Sequence, residues 1–145
     1  MKMRFLCVRH RARLSADPST ALQVWRQSYE QGIRLEQQKR GSLAIRHAGC
    51  ALETADLLLS TKPGPCLHAV VRYSHSALLL ARLLRHQGAE DLVADVIDSA
   101  IQRLRELHSP SDTVETIHSA CHHLAGMNAS ASRRRIQHAD IQIRC

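Results

Sequence analysis

The stretch around residue 120 is the best candidate for metal chemistry in this sequence. His118, Cys121 and His122 are spaced i, i+3 and i+4, so a helix would place all three on one face. Zinc accepts imidazole and thiolate ligands, but it needs three or four of them, and no partner motif elsewhere in the sequence supplies the rest. Cys121 also fits an apolar stripe. We therefore predict a core thiol beside surface histidines, with no metal and no cofactor.

The sequence lacks the short motifs that support nucleophilic or phosphate chemistry. It contains no Gly-x-Ser-x-Gly turn, and its six glycines are scattered singly, so neither type of phosphate-binding loop is present. Asp91, Asp95 and Asp98 share one helix face that could attract a cation or a basic partner, although a solvated face accounts for them as well. We predict that the protein is not an enzyme and has no catalytic residue.

The elements that must position these side chains are helices. The sequence has 145 residues, the length of one domain, and 44% of them are hydrophobic. Leucine and alanine dominate, whereas Trp, Tyr and Phe contribute one, two and one residue. This composition suits closely packed helices better than a sheet. Apolar residues recur at three- and four-residue steps in five stretches, which predicts an all-α fold of antiparallel helical hairpins with about five helices.

Capping and breaking residues predict the helix limits. Asp17-Pro18 is a good helix start, and Lys39-Arg40-Gly41 a good stop. The Pro-Gly-Pro loop around Gly64 divides the chain into halves, and Gly88 ends the third helix. The predicted helices cover about residues 18–38, 42–60, 66–87, 90–107 and 111–126.

Two features of the second and third helices predict how they pack. The small residues Ala44, Ala48, Gly49 and Ala51 would let a neighbouring helix approach closely. In the third helix the apolar residues spread over a wide arc, which indicates contact with helices on both flanks. If five helices do not cover this arc, a homodimer would bury the remainder.

The net charge of +7 is concentrated at the two ends of the sequence. Residues 1–15 carry five basic side chains and no acid, and residues 133–145 carry four arginines against one aspartate. We predict a basic N-terminal arm at 1–16, a helical domain at 17–127 and a basic, frayed C-terminal tail at 128–145. Basic arms add affinity for phosphates, so a nucleic-acid-associated factor is the alternative function.

Cysteine usage and hydropathy predict a cytoplasmic protein with no membrane partner. The five cysteines are odd in number and form no Cys-x-x-Cys pair, as expected for reduced thiols. The apolar run at residues 5–8 is too short for a signal peptide and leads directly into Arg9. No stretch approaches the length of a membrane span.

Aligned by their turns, the two hairpins of residues 21–107 share small or medium apolar residues at equal spacings. Gly32, Ala44, Ala48 and Ala51 in the first correspond to Ala81, Val93, Ile97 and Ala100 in the second. This pattern resembles the tetratricopeptide repeat, although the offset from residue 32 to residue 81 is 49 residues, against about 34 in that family. The resemblance implies a stack of helical hairpins, and an ordinary four- or five-helix bundle is the alternative.

The resemblance also implies where a partner would bind, because the first helix of each hairpin lines the family's binding groove. Here those helices supply Arg26, Tyr29, Ile33 and Glu36, followed by His75, Leu78, Arg82 and Arg85. Such a groove would be basic on one side and apolar on the other, which suits an acidic amphipathic segment of another protein. Tyr29, Ile33 and Leu78 could instead be core residues. We predict an adaptor, scaffold or chaperone-like module that binds another protein.

Overall fold

The computed structural model describes residues 3–61, 64, 66–107 and 111–142, and for residues 111, 112 and 130–142 the description covers the backbone alone. Throughout these residues the regular structure is helical and no strand is present, so the predicted all-α fold is confirmed. The helices are α1 (Val8–Ala16), α2 (Pro18–Gln37), α3 (Gly41–Leu59), α4 (Leu67–His86), α5 (Glu90–Arg105) and α6 (Ser111–Gln142).

The count of six helices exceeds the predicted number because α1 lies in the segment expected to be a basic arm. Cys7 caps this helix, since its Sγ accepts a hydrogen bond from the backbone N–H of His10 at 3.5 Å. Leu14 is 2% exposed and belongs to a small second core with Ala21 and Leu58. One buried residue in a nine-residue helix gives no apolar stripe, so the periodicity in the sequence does not reveal α1.

The last helix is longer than predicted. It was expected to close near Gly126 and to be followed by a frayed segment, but the helical backbone continues to Gln142. A glycine inside a helix costs only about 1 kcal/mol relative to alanine. That cost does not end a helix when alanine, serine and arginine follow without a proline. Gly126 therefore lies within α6 as an interior residue.

The predicted helix start at Asp17-Pro18 is confirmed. The Asp17 carboxylate accepts hydrogen bonds from the Thr20 hydroxyl at 2.6 Å and from the backbone N–H groups of Ser19 and Thr20, each at 3.1 Å. These bonds, with that of the Thr20 hydroxyl the strongest, hold the pKa of Asp17 below its ordinary value. Pro18 occupies the first helical position, where a missing N–H costs nothing.

In the turn between α2 and α3, the left-handed backbone conformation is adopted by a lysine and not by the glycine. Lys39 takes φ 58°, whereas Gly41 begins α3. A Cβ at Gly41 would meet the far end of the exposed Gln87 side chain, which can move aside. Gly88, with φ 71°, follows the end of α4 as predicted.

The helices pack in an open zigzag with α4 at its centre. Each of α2, α3, α4 and α5 packs mainly on its neighbours in the chain, and α4 also contacts α2 and α6. Consequently α2, α4 and α6 form one layer, and α3 and α5 form the other. In the part of the chain that the structure describes, α2 makes no close backbone contact with α5 or α6. The predicted contact of the apolar third helix with neighbours on both flanks is confirmed.

Little apolar surface of α4 is left for a dimer. Of its leucines, Leu67 at the first position is exposed at 45%, Leu78 is half-buried and the others are buried. The larger exposed hydrophobic residues lie singly on different helices, such as Val8 on α1 and Val114 on α6. The homodimer therefore stays a prediction, but the exposed apolar surface on α4 that would form its interface is small.

The small residues of α3 let α2 approach its backbone, as predicted. A Cβ added to Gly32 of α2 would lie 3.4 Å from the backbone nitrogen of Ala48 and 3.6 Å from the carbonyl oxygen of Ala44. Both alanines are completely buried. This close approach fixes the register between α2 and α3.

An extended segment before α1, residues 3–7, lies on α3, and we call it the N-terminal strap. The Phe5 ring occupies the space that a side chain at Gly49 would fill. The backbone N–H groups of Phe5 and Leu6 donate to the two carboxylate oxygens of Glu53, at 2.7 and 3.1 Å. The strap is therefore held by specific contacts to one face of α3. Burial in this region raises the pKa of the neighbouring Cys50 thiol.

The contact of Phe5 with Gly49 gives a testable expectation. Gly49→Ala adds helix propensity of about 1 kcal/mol, but its methyl group displaces the Phe5 ring, whose burial contributes about 1.5–3 kcal/mol. We expect the free energy of unfolding to fall by about 0.5–2 kcal/mol, measured by urea denaturation. In a Phe5→Ala background the same substitution should stabilise the protein. An equal effect in both backgrounds would contradict the proposed contact.

Candidate partner-binding face

The face shared by α2 and α4 carries an aromatic cluster. Trp25 and Tyr29 are stacked with ring centroids 5.5 Å apart and an interplanar angle of 21°. The guanidinium carbon of Arg72 lies 5.5 Å from the Trp25 ring centroid, within the range of a cation–π contact. The indole N–H of Trp25 donates to the Ser76 hydroxyl at 2.9 Å. The cluster therefore joins the two helices and is held in one orientation.

Next to the aromatic cluster, an ion pair joins the same two helices. Arg82 donates from Nε and Nη2 to the two carboxylate oxygens of Glu36, at 2.9 and 2.6 Å. This bidentate hydrogen bonding raises the pKa of Arg82. His86 lies on the other side of the carboxylate, with Nδ1 3.6 Å from Oε1 of Glu36. Glu36 is thus surrounded by cationic or basic groups.

We define the α2–α4 face by the residues that these contacts and the sequence prediction bring together. They are Trp25, Arg26, Tyr29, Ile33, Glu36, Arg72, His75, Leu78 and Arg82. Three arginines stand against one carboxylate in this set, so the face carries a net positive charge.

None of the predicted apolar groove residues is fully buried or fully exposed; they are Tyr29, Ile33 and Leu78. Each is half-buried and packs against the main core. Each therefore supports the core with one side and leaves part of its surface to solvent. Their packing fits the interpretation as core residues, and their role in a groove stays a prediction.

His75 lies at the edge of the face towards α6. It is exposed, and with Leu78 it lines a depression of about 420 Å³ between α4 and α6. Glu115, Ser119 and His123 form the α6 side of this depression. The layer of α2, α4 and α6 therefore offers a continuous irregular surface, in which α4 contributes to both halves.

Arg85 is the predicted groove residue that the structure places elsewhere. Its Nη2 donates to the backbone carbonyl of Met127 in α6 at 3.0 Å, and its Nε lies 3.6 Å from Oε1 of Glu90 in α5. The side chain is 14% exposed. Arg85 therefore holds α4, α5 and α6 together, and it is not part of the α2–α4 face.

Sequence reasoning did not select Trp25 and Arg72 as binding residues. Trp25 and Tyr29 are four residues apart, a spacing that indicates that two of the four aromatic residues share a helix face. Arg72 had no such signal, because its position over the Trp25 ring depends on the register between α2 and α4.

His118, Cys121 and His122 of α6 lie apart from the α2–α4 face. His118, Cys121 and His122 line a shallow depression of about 410 Å³ beside Arg105 of α5. Burial raises the pKa of the Cys121 thiol. Among the residues that the structure describes, no group of three or more histidine, cysteine or acidic side chains is placed to hold a metal ion.

Comparison of the chain with protein-family models, curated proteins and solved structures gives no match. The tetratricopeptide resemblance therefore stays a prediction. In the described residues, none of the helices combines the length and the apolar character that crossing a membrane requires.

Proposed function

We propose that this chain is a non-catalytic protein-binding module, an adaptor, scaffold or chaperone-like unit, whose α2–α4 face receives an acidic amphipathic segment of another protein. The observation that carries the proposal is the Trp25–Tyr29 stack with Arg72 over it, half-exposed on the face where α2 and α4 meet. Tryptophan, tyrosine and arginine are the residues that most often dominate binding energy at protein interfaces.

The rigidity of this cluster supports the proposal. Binding is weakened by the entropy lost when interface side chains become ordered, and that loss is smaller for groups that are already fixed. Trp25 is held by its hydrogen bond to Ser76, and Arg82 by its bidentate pairing with Glu36. A partner would therefore meet side chains already in place.

The order of helix contacts supports a stacked rather than a closed arrangement. In a repeat stack each helix packs on its neighbours in the chain, and the first helices of successive hairpins lie side by side. Here α2, α4 and α6 lie side by side, and α3 and α5 fill the second layer. The tetratricopeptide resemblance implies binding at this face, which joins the first helices of the two hairpins.

The charge of the face determines the kind of partner proposed. Arg26 is exposed, and Arg72 and Arg82 keep part of their surface open beside the half-buried apolar residues. An amphipathic helix with acidic residues next to its apolar stripe would match both properties. The proposal needs no cofactor or metal.

The test reverses charge on the face without breaking the contacts between helices. Arg82 and Arg85 are unsuitable, because both hold helices together. We propose Arg26→Glu, compared with Arg46→Glu, which reverses one exposed arginine of the other layer. Each variant is used as bait in affinity capture at moderate salt, followed by titration of the purified partner. Circular dichroism and thermal melting check that both variants stay folded.

We expect wild type and the control variant to retain the same partner, and the face variant to bind it at least about tenfold more weakly. Charge pairs at an interface are worth on the order of 1.5 kcal/mol or more, which corresponds to this factor. If the face variant binds the partner as wild type does, the α2–α4 face is not the site.

A nucleic-acid-associated function is the second candidate, favoured by the helical backbone that α6 gives to Arg133, Arg134 and Arg135. The positive charge of these arginines would add electrostatic affinity for phosphates. Replacing these arginines with glutamine should reduce the salt dependence of binding to arbitrary duplex DNA if this function holds. Trimming residues 1–15 would be a poor test, because Phe5 and Leu14 pack against the body.

A further inference from the structure

A cavity of about 390 Å³ lies between the N-terminal strap and the helices α3, α4 and α5, away from the α2–α4 face. Its volume falls within the range of small-molecule sites. The strap contributes Met3, Arg4 and Leu6 to the wall, and α5 contributes Ser99 among others. Since the proposed partner-binding face does not use this cavity, its chemistry can be considered separately.

The floor of the cavity is apolar. Leu52 of α3, Tyr73 of α4, and Val96 and Ala100 of α5 line it, and each is at most 6% exposed. Burial raises the pKa of Tyr73, so its hydroxyl stays protonated. A ligand on this floor would be in contact with aliphatic and aromatic carbon.

The rim of the cavity is charged, with three arginines and two carboxylates. Arg4, Arg11 and Arg103 are the cations, and Glu53 and Asp56 are the anions, which gives one net positive charge. A charged rim above an apolar floor is the arrangement expected for a ligand with one polar end and one apolar end.

Both carboxylates of the rim already have partners. Glu53 accepts hydrogen bonds from the strap amides, and Nη1 of Arg11 lies 3.7 Å from its Oε2. Asp56 accepts from Arg103 Nε at 2.6 Å on one oxygen and from Arg11 Nη2 at 3.3 Å on the other. A cationic ligand would have to displace these bonds, so the carboxylates do not favour one.

The arginines, in contrast, retain donor capacity. A guanidinium group has five N–H donors. Arg103 donates from Nε to Asp56 and from Nη2 to the Ser60 hydroxyl, at 2.6 and 2.9 Å, which leaves its other terminal nitrogen for a further acceptor. Arg4 is exposed at the mouth of the cavity. An added acceptor with negative charge would complete these hydrogen bonds.

We propose that this cavity binds a small organic anion, with its carboxylate at the arginines of the rim and its short aliphatic body on the apolar floor. A bare inorganic anion would leave the floor uncovered, and a neutral lipid would leave the arginine donors unused. A medium-chain carboxylate uses both. Because the strap forms one wall, such a ligand would also stabilise the strap on α3.

The first test uses octanoate as the probe, with octanol and acetate as matched controls that keep only the chain or only the charge. Calorimetric titration of the full chain should show one octanoate bound per chain, with a Kd below about 1 mM. Octanol should bind at least about tenfold more weakly, and acetate should give no detectable heat. The proposal would be overturned if octanol bound as tightly as octanoate. It would also be overturned if octanoate showed no binding at about 5 mM, five times the expected upper limit of its Kd.

The second test places the site. Ser99→Phe should fill the cavity from α5 and abolish octanoate binding without changing a charge, and Ser99→Leu serves if the larger side chain impairs folding. Arg4→Gln should weaken binding by about threefold or more, as expected for an exposed charge. Arg9→Gln, an exposed arginine of α1 outside the cavity lining, should leave it unchanged. Octanoate binding that survives both Ser99 variants in folded protein would show that the cavity is not the site.

Discussion

Replacing Glu53 with alanine is expected to lower the free energy of unfolding by about 2–4 kcal/mol, because the strap then loses both hydrogen bonds to α3 and with them the contact of the Phe5 ring. Glu53 is 8% exposed, and its carboxylate accepts the backbone N–H groups of Phe5 and Leu6. Without it these amides lose that hydrogen bond, and Arg11 loses one of its two acidic neighbours. We expect the strap to leave α3, so that hydrogen exchange at residues 5 and 6 accelerates more than exchange in the helices.

The matched control is Glu30→Ala, which removes an exposed carboxylate of α2. We expect it to change the unfolding free energy by less than about 0.5 kcal/mol. Glu53→Gln should lie between the two, because an amide oxygen can accept one of the strap bonds. Urea denaturation of the three variants measures the effect. Similar losses for Glu53→Ala and Glu30→Ala would mean that the carboxylate does not hold the strap.

The helices α2 to α5 were predictable because local sequence determines their ends and their apolar stripes. Asp17 marks the start of α2 by its capping side chain. Gly88 marks the end of α4 because a glycine adopts a positive φ easily. The strap and α1 were not predictable in the same way. The acceptor for Phe5 lies 48 residues away in the chain, and the ring is seated at a glycine of another helix. No pattern within residues 1–16 encodes those contacts.

The candidate face was predictable within each helix but not between helices. A period of 3.6 residues puts Tyr29, Ile33 and Glu36 on one side of α2, and the resemblance selected that side. Which cation meets Glu36 depends on how α4 lies against α2 and α3. In the structure Arg82 pairs with Glu36, whereas Arg85 is directed towards α5 and α6, and the pattern within α4 alone does not distinguish the two arginines.

The central position of α4 leads to the second large expected effect. Leu80 is completely buried in the helix that contacts α2, α3, α5 and α6. Leu80→Ala should lower the free energy of unfolding by about 2–5 kcal/mol, through lost burial and the cavity left behind. Because α4 joins the two hairpins, we expect the amides of α2, α3, α4 and α5 to lose protection together in hydrogen exchange.

Leu124→Ala provides the comparison, because Leu124 is also completely buried but belongs to the last helix. In an open stack a helix interacts with its nearest neighbours, so damage at one end stays local. The loss of protection in this variant should be confined largely to α6 and the adjoining surfaces of α4 and α5. A closed bundle would instead transmit both substitutions to every helix. Identical exchange profiles for the two variants would therefore contradict the open stack, and with it the structural support for a groove formed by successive hairpins.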